Sequence, residues 1–164
     1  MLSLINLMLE KVIILFGRAS SFLIIFLILL VSTSVMLRYI FSVGFTWLQD
    51  LYIWTHALFI LLGISFALFK DSHVRIDIIY RNLNLKKKKI INFLGSIIFG
   101  LPLCYILILK GYEYFFRSLV LGENSKETGG LPNIYILKFF IFFLGILLFL
   151  SFINNIIKFF QKND

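Results

Sequence analysis

The chain has one cysteine, Cys104, and two prolines in 164 residues. One thiol closes no intrachain disulfide, and within an apolar run it reads as a small packing residue. Charge is scarce too: 15% of residues are Asp, Glu, Lys or Arg, against 60% hydrophobic. A soluble domain could not solvate its own surface with that composition, so the chain is an integral membrane protein. Two histidines and no Cys–His cluster leave zinc and iron–sulfur sites without ligands. No glycine-rich phosphate loop, nucleophile elbow or pair of catalytic carboxylates occurs. The expectation is a protein that is not an enzyme and has no cofactor or metal.

Acids are half as common as bases, eight against 16, for a formal charge of +8. In a soluble chain this would suggest nucleic acid. Here the bases gather at the ends of apolar runs, which points instead to anionic phospholipid, with no nucleic-acid partner. No internal repeat is evident, which counts against a small carrier built from two inverted halves.

What the sequence does have is long uncharged runs. The most informative stretch is 47–77. It opens on Trp47, Gln49 and Asp50, crosses an apolar run interrupted by His56, and closes on a polar cluster from Lys70 to Asp77. An uncharged run of about 19 residues is long enough to cross a bilayer as a helix. The fold class expected is all-α: four transmembrane helices plus an N-terminal amphipathic in-plane helix, in one membrane domain with both termini cytoplasmic.

In chain order, residues 1–18 read as the in-plane helix, because Glu10 and Lys11 would each cost about 2.5–3.5 kcal/mol at the bilayer centre. A signal peptide fits less well, with no base before the apolar part and no small-residue cleavage pattern after it. Span 1 is expected at 20–41, then a turn at Gly44 and a cap at Thr46. Span 2 is expected at 48–69, a basic cytoplasmic loop at 70–89, and span 3 at 90–109 with a kink at Pro102. A polar periplasmic connection at 110–133, span 4 at 134–157 and a cytoplasmic tail at 158–164 complete the reading. With both termini inside, eleven bases lie on the inner side and five on the outer, the bias of the positive-inside rule.

His56 and His73 stand 17 residues apart, about 25 Å along one helix, so they cannot both ligate one haem in this chain. His56 reads as a polar contact at a helix interface, with Gly63 and Ala67 on its face as small residues that admit another helix, ahead of a proton-transfer role. Ser96 and Gly100 repeat that small-residue spacing. Asp50 reads as favouring the start of its helix or pairing with Arg38, ahead of an ion ligand. Lys86, Lys87, Lys88 and Lys89 read as a lipid-facing anchor.

The order Arg38-Tyr39-Ile40-Phe41, Trp47, Trp54, Gly63, His73-Val74-Arg75-Ile76-Asp77 and the late Gly130-Leu131-Pro132 resembles the small membrane subunit of tripartite ATP-independent periplasmic (TRAP) transporters. The likeness covers nearly the whole chain. It departs at Gln49-Asp50, where that family tends to show two glutamates. The resemblance implies a subunit of the bacterial inner membrane without catalytic function. In that family a periplasmic binding protein delivers an organic acid, such as a C4-dicarboxylate or sialic acid, to a large sodium-coupled membrane subunit that moves it by an elevator-like motion. The small subunit packs beside the static scaffold, and its outward surface is a candidate for docking the binding protein. Arg38, Trp47, Asp50, Trp54, His73 and Asp77 would then shape and anchor the second helix and its loops without touching substrate, and Pro132 belongs to the structural motif before the last span. Two rival classes stay open: an autonomous channel or proton-linked carrier using His56 and Asp50, and a membrane anchor of a redox complex.

Overall fold

A computed structural model describes residues 2–70 and 83–161. His73 and Asp77, with Arg75 and Arg81, lie outside the described residues. Among those described there is no strand, and four helical stretches are long and apolar enough to cross a membrane: Asn6–Ile40, Thr46–Phe69, Lys86–Leu121 and Tyr135–Phe160. Length and composition set this, because in hydrocarbon a backbone must satisfy its own hydrogen bonds.

Helix α1 (Leu2–Ile40) runs unbroken for 39 residues. The sequence separates an in-plane piece from a span near residue 19, and the structure corrects this division: the two are one element. Nothing there stops a helix. The Ser20 and Ser21 hydroxyls return to the Gly17 carbonyl at 2.7 and 3.2 Å, staying within the helix. Nor is the first half free to lie apart. Ile13 is fully buried, and the Phe16 ring meets Phe143 edge-on at 4.9 Å.

The inward positions of α1 (Ile13, Ser20, Leu27 and Ser34, with Phe16, Leu23, Leu30 and Leu37) recur every seven residues. That is the seam spacing of helices crossing at a shallow angle. Helix α2 (Thr46–Phe69) packs antiparallel along it, with Gly63 opposite Ser20 and Gly17 beneath Phe66. In the turn between them the left-handed residue is Ser42, φ 55°, rather than Gly44. Phe45 occupies the N-cap with no side-chain bond, so Thr46 is not the cap the sequence suggests.

The third crossing is built from α3 (Leu85–Gly95), a π-helical turn (Ser96–Gly100) and α4 (Leu101–Leu121). Pro102 explains the wide turn. Its ring crowds the carbonyl four residues back, and the strand of hydrogen bonds adjusts just before it, the Leu101 N–H reaching the Ser96 carbonyl five residues earlier. The expected kink is thus taken up as a π turn. The expected end of this helix near Leu109 is also corrected: residues 110–121 are helical. Lys110 and Glu113 neutralise each other one turn apart at 2.8 Å, and Tyr112, Tyr114, Phe115 and Phe116 give that segment the aromatic content of a membrane boundary.

Helix α5 (Tyr135–Gln161) packs on α4, α2 and α1, and so joins the two hairpins. The buried face of the π turn and α4 is small: Gly100, then Cys104, Gly111 and Ser118. Gly100 lies against the Phe152 ring, where an added Cβ would stand 2.7 Å from it, and at Gly111 a Cβ would stand 2.9 Å from the Phe142 Cα. Cys104 fills the gap between them with Leu144 and Leu148, joined from α2 by Leu61, Ile64 and Leu68. Leu103, Ile106, Leu109 and Phe116 on α4 point outward.

Candidate functional site

The connection between α4 and α5, at 122–134, is a folded structure. Helix α4 ends at Gly122, φ 58°, a left-handed position that spares glycine the clash a side chain would meet. The Glu123 N–H then returns to the Ser118 carbonyl at 3.1 Å. Two more backbone bonds draw the loop shut: Ile134 N–H to the Glu123 carbonyl and Ser125 N–H to the Leu131 carbonyl, both 3.0 Å. Asn124 Oδ1 accepts the Asn133 N–H at 3.0 Å.

Glu123 anchors this loop to both helices. Its Oε2 accepts the Ser118 hydroxyl at 2.6 Å and pairs with the Lys138 ammonium, which sits 4.1 Å from the centre of the Tyr114 ring. The hydrogen bonds from Lys138 and then Ser118 hold the Glu123 carboxyl below the usual carboxylate range.

The loop is fastened to the other hairpin through Asp50. This carboxylate is buried in the second turn of α2, and its Oδ2 accepts the Leu131 N–H at 2.8 Å across 81 residues of sequence. Gly130 has no side chain for a steric reason: a Cβ there would collide with Asp50 Oδ2 and with Ser125. The position at which the resemblance departs, Asp50, and a segment that carries it, Gly130-Leu131-Pro132, therefore meet in space. The carboxylate works as a clamp across this end of the bundle. The sequence reading paired Asp50 with Arg38 or with its own helix start, whereas its bond goes to Leu131, and Arg38 is exposed in the last turn of α1.

A second polar seam holds the opposite end, and nothing in the sequence singled it out. The fully buried Asn154 donates to Asn6 Oδ1 at 2.7 Å, while its own Oδ1 has no partner among the described residues. Glu10 pairs with Lys158 at 2.9 Å, and Lys158 lies over the Phe69 ring at 4.7 Å. Glu10 thus finds its counter-charge on α5. Deeper in, the Ser151 hydroxyl reaches the Leu147 carbonyl at 3.0 Å and the Ser65 carbonyl at 3.3 Å. Polar residues 148 positions apart leave no local pattern, so only the fold brings them together.

The remaining predicted residues sit as follows. Trp47 is half-exposed at the N-terminal end of α2 beside Phe45, ring centres 5.9 Å apart, and Trp54 is half-buried. Gly63 faces Ser20 of α1, an intrachain contact. Ala67 is half-buried near the other end of α2, and His56 is exposed. Pro132 is exposed in the loop; Lys86 and Lys87 are exposed, Lys88 and Lys89 half-buried. Among the described residues no three of His, Cys, Asp and Glu group closely enough to hold a metal ion.

A family model described as "Tripartite ATP-independent periplasmic transporters, DctQ component" matches residues 27–162. No curated protein and no solved structure matches the chain.

Proposed function

The chain belongs to the DctQ component family of the tripartite ATP-independent periplasmic transporters, and from that premise we propose that it is the small scaffold subunit of a sodium-coupled uptake system for organic acids. It is a multi-pass membrane protein and a transporter component. In this reading a large membrane subunit carries the substrate, a C4-dicarboxylate, sialic acid or related carboxylate, and the present chain gives it a fixed neighbour in the bacterial inner membrane. Both termini face the cytoplasm, as the excess of bases at 70–89 and at the chain ends favours. Lys86 to Lys89 hold that face against anionic phospholipid. The folded outer loop, with Pro132 on its surface, offers a preformed platform to the periplasmic binding protein.

The observation that carries the scaffold reading is the Asp50 clamp. A buried carboxylate bonded to a backbone N–H between hairpins favours one arrangement of the outer end, which is what a static element requires and a moving gate does not.

The test is purification of the chain in mild detergent from its native membrane at native expression, with intact masses of everything retained. A stoichiometric, much larger, many-span protein is the expected companion. Recovery of the chain with copies of itself alone, or flux from the chain alone in liposomes, would overturn the reading.

A further inference from the structure

Helix α2 packs against α1 and α5, and the residues it leaves exposed beyond Trp47 in its first turn, up to its end at Phe69, are Gln49, Ile53, His56 and Ile60. These residues recur at intervals of four, three and four, so they share one face of the helix. His56 is the eleventh residue of a 24-residue helix, about 15 Å from its start at 1.5 Å per residue, near the middle of a bilayer core. Its imidazole is exposed on the subunit and makes no hydrogen bond to any described residue. The side chain is too short to reach headgroups from that depth, whereas Gln49, one turn inside the helix, can do so.

The outward faces of α1 and α4 differ from this strip. Ile25, Ile28, Leu103 and Ile106 need only lipid. Ser32 and Thr33 are also exposed, but lie nearer the outer end of α1 and have carbonyls of their own helix within reach. An imidazole in hydrocarbon has no such local answer and calls for a partner group at the same depth.

We propose that the open strip of α2, through Ile53, His56 and Ile60, is covered in the transporter by a membrane helix of the large subunit that presents a hydrogen-bonding side chain or a free backbone carbonyl to His56. This rests on the scaffold reading and deepens it by assigning the contact face. A second copy of this chain is a poorer occupant. Close approach of membrane helices needs small residues, and the strip offers two branched isoleucines flanking His56, while Gly63 is already taken by Ser20. A copy would bring the same knobs and no hole.

The experiment uses the full chain with its single cysteine replaced (Cys104→Ala) and nitroxide labels at Ile53→Cys or Ile60→Cys. Reference labels go at Ile28→Cys, level with Thr55 by the register that sets Ser20 opposite Gly63, and at Ile106→Cys. Collision with dissolved oxygen is measured in membranes with and without the co-expressed large subunit. Accessibility at 53 and 60 should fall severalfold on co-expression, with little change at 28 and 106. Sites 53 and 60 remaining as accessible as 28 in a complex that does co-purify would overturn the assigned face alone. Failure of the unaltered chain to retain any large subunit would remove the scaffold reading and this inference together. Independently, His56→Leu should lower the retained large subunit about threefold, the effect of a typical interhelical hydrogen bond, and His56→Gln should restore most of it. Full retention by His56→Leu would contradict the hydrogen bond.

Discussion

Asp50 and Leu131 are 81 residues apart in sequence and joined in space by one hydrogen bond, the Asp50 carboxylate accepting the Leu131 N–H at 2.8 Å. The bond links the start of α2 to the loop before α5, and so couples the two hairpins at one end of the bundle. A carboxylate in this role needs a neighbour without a side chain, and Gly130 supplies it.

Removing the acceptor should leave a partly buried N–H without a partner. Asp50→Ala is expected to cost about 1–3 kcal/mol, while Asp50→Asn, which keeps an acceptor oxygen, should cost less. Thermal unfolding in detergent checks this; equal midpoints for Ala and wild type would exclude the clamp.

Gly130→Ala should destabilise because the new methyl displaces the Asp50 carboxylate and Ser125. In the double variant with Asp50→Ala the two losses should be clearly less than additive, since both break one contact. Simple additivity in the same unfolding assay would separate them.

The glycines of the α1–α2 hairpin should divide by the room they have. Gly17→Ala forces Phe66 aside and should cost about 1–3 kcal/mol, as over-packing does. At Gly63 the nearest atom to an added Cβ is Ser20 Oγ at 3.5 Å, so Gly63→Ala should be tolerated and Gly63→Leu should not. Gly44→Ala, with nothing within 4 Å, serves as the neutral reference. Comparable losses at 17 and 44 would refute the α1–α2 packing.

Acid should loosen the α4–α5 loop first. Glu123 has a folded-state pKa below its unfolded one, so its contribution is fully present above the ordinary glutamate range, about 4.3, and is lost as pH falls through the lowered value. Hydrogen exchange of the Glu123, Ser125 and Ile134 amides should accelerate in that acid window beyond the intrinsic rate. Glu123→Gln should remove this pH dependence, and an unchanged profile in that variant would assign it elsewhere.

The four crossings were legible because an uncharged run of sufficient length has few alternatives to a membrane helix. Their ends were less so. Residues 110–121 carry Lys110, Glu113 and Arg117 and read as a connection, but an aromatic helix at a membrane boundary tolerates charge that can pair locally or reach headgroups. The division of α1 near residue 19 failed for a related reason: Glu10 looks costly in isolation and is paired with Lys158, a residue no local pattern connects to it. The importance of Asp50 was visible, its partner was not, because a backbone N–H leaves no mark in sequence. His56 was placed on the face of Gly63, yet only the fold shows that α1 occupies one of these positions and leaves the other bare.

At Gly111 and Gly145 the third and fourth crossings approach so closely that an added Cβ would stand 2.9 to 3.1 Å from backbone and inner side-chain atoms of the opposite helix. Helices in contact at that level have no rotamers to exchange and cannot slide without first separating. The α4–α5 pair therefore transmits force as a single strut. The α2–α5 seam is of another kind, with leucines packed side chain to side chain around the Ser151–Ser65 hydrogen bond.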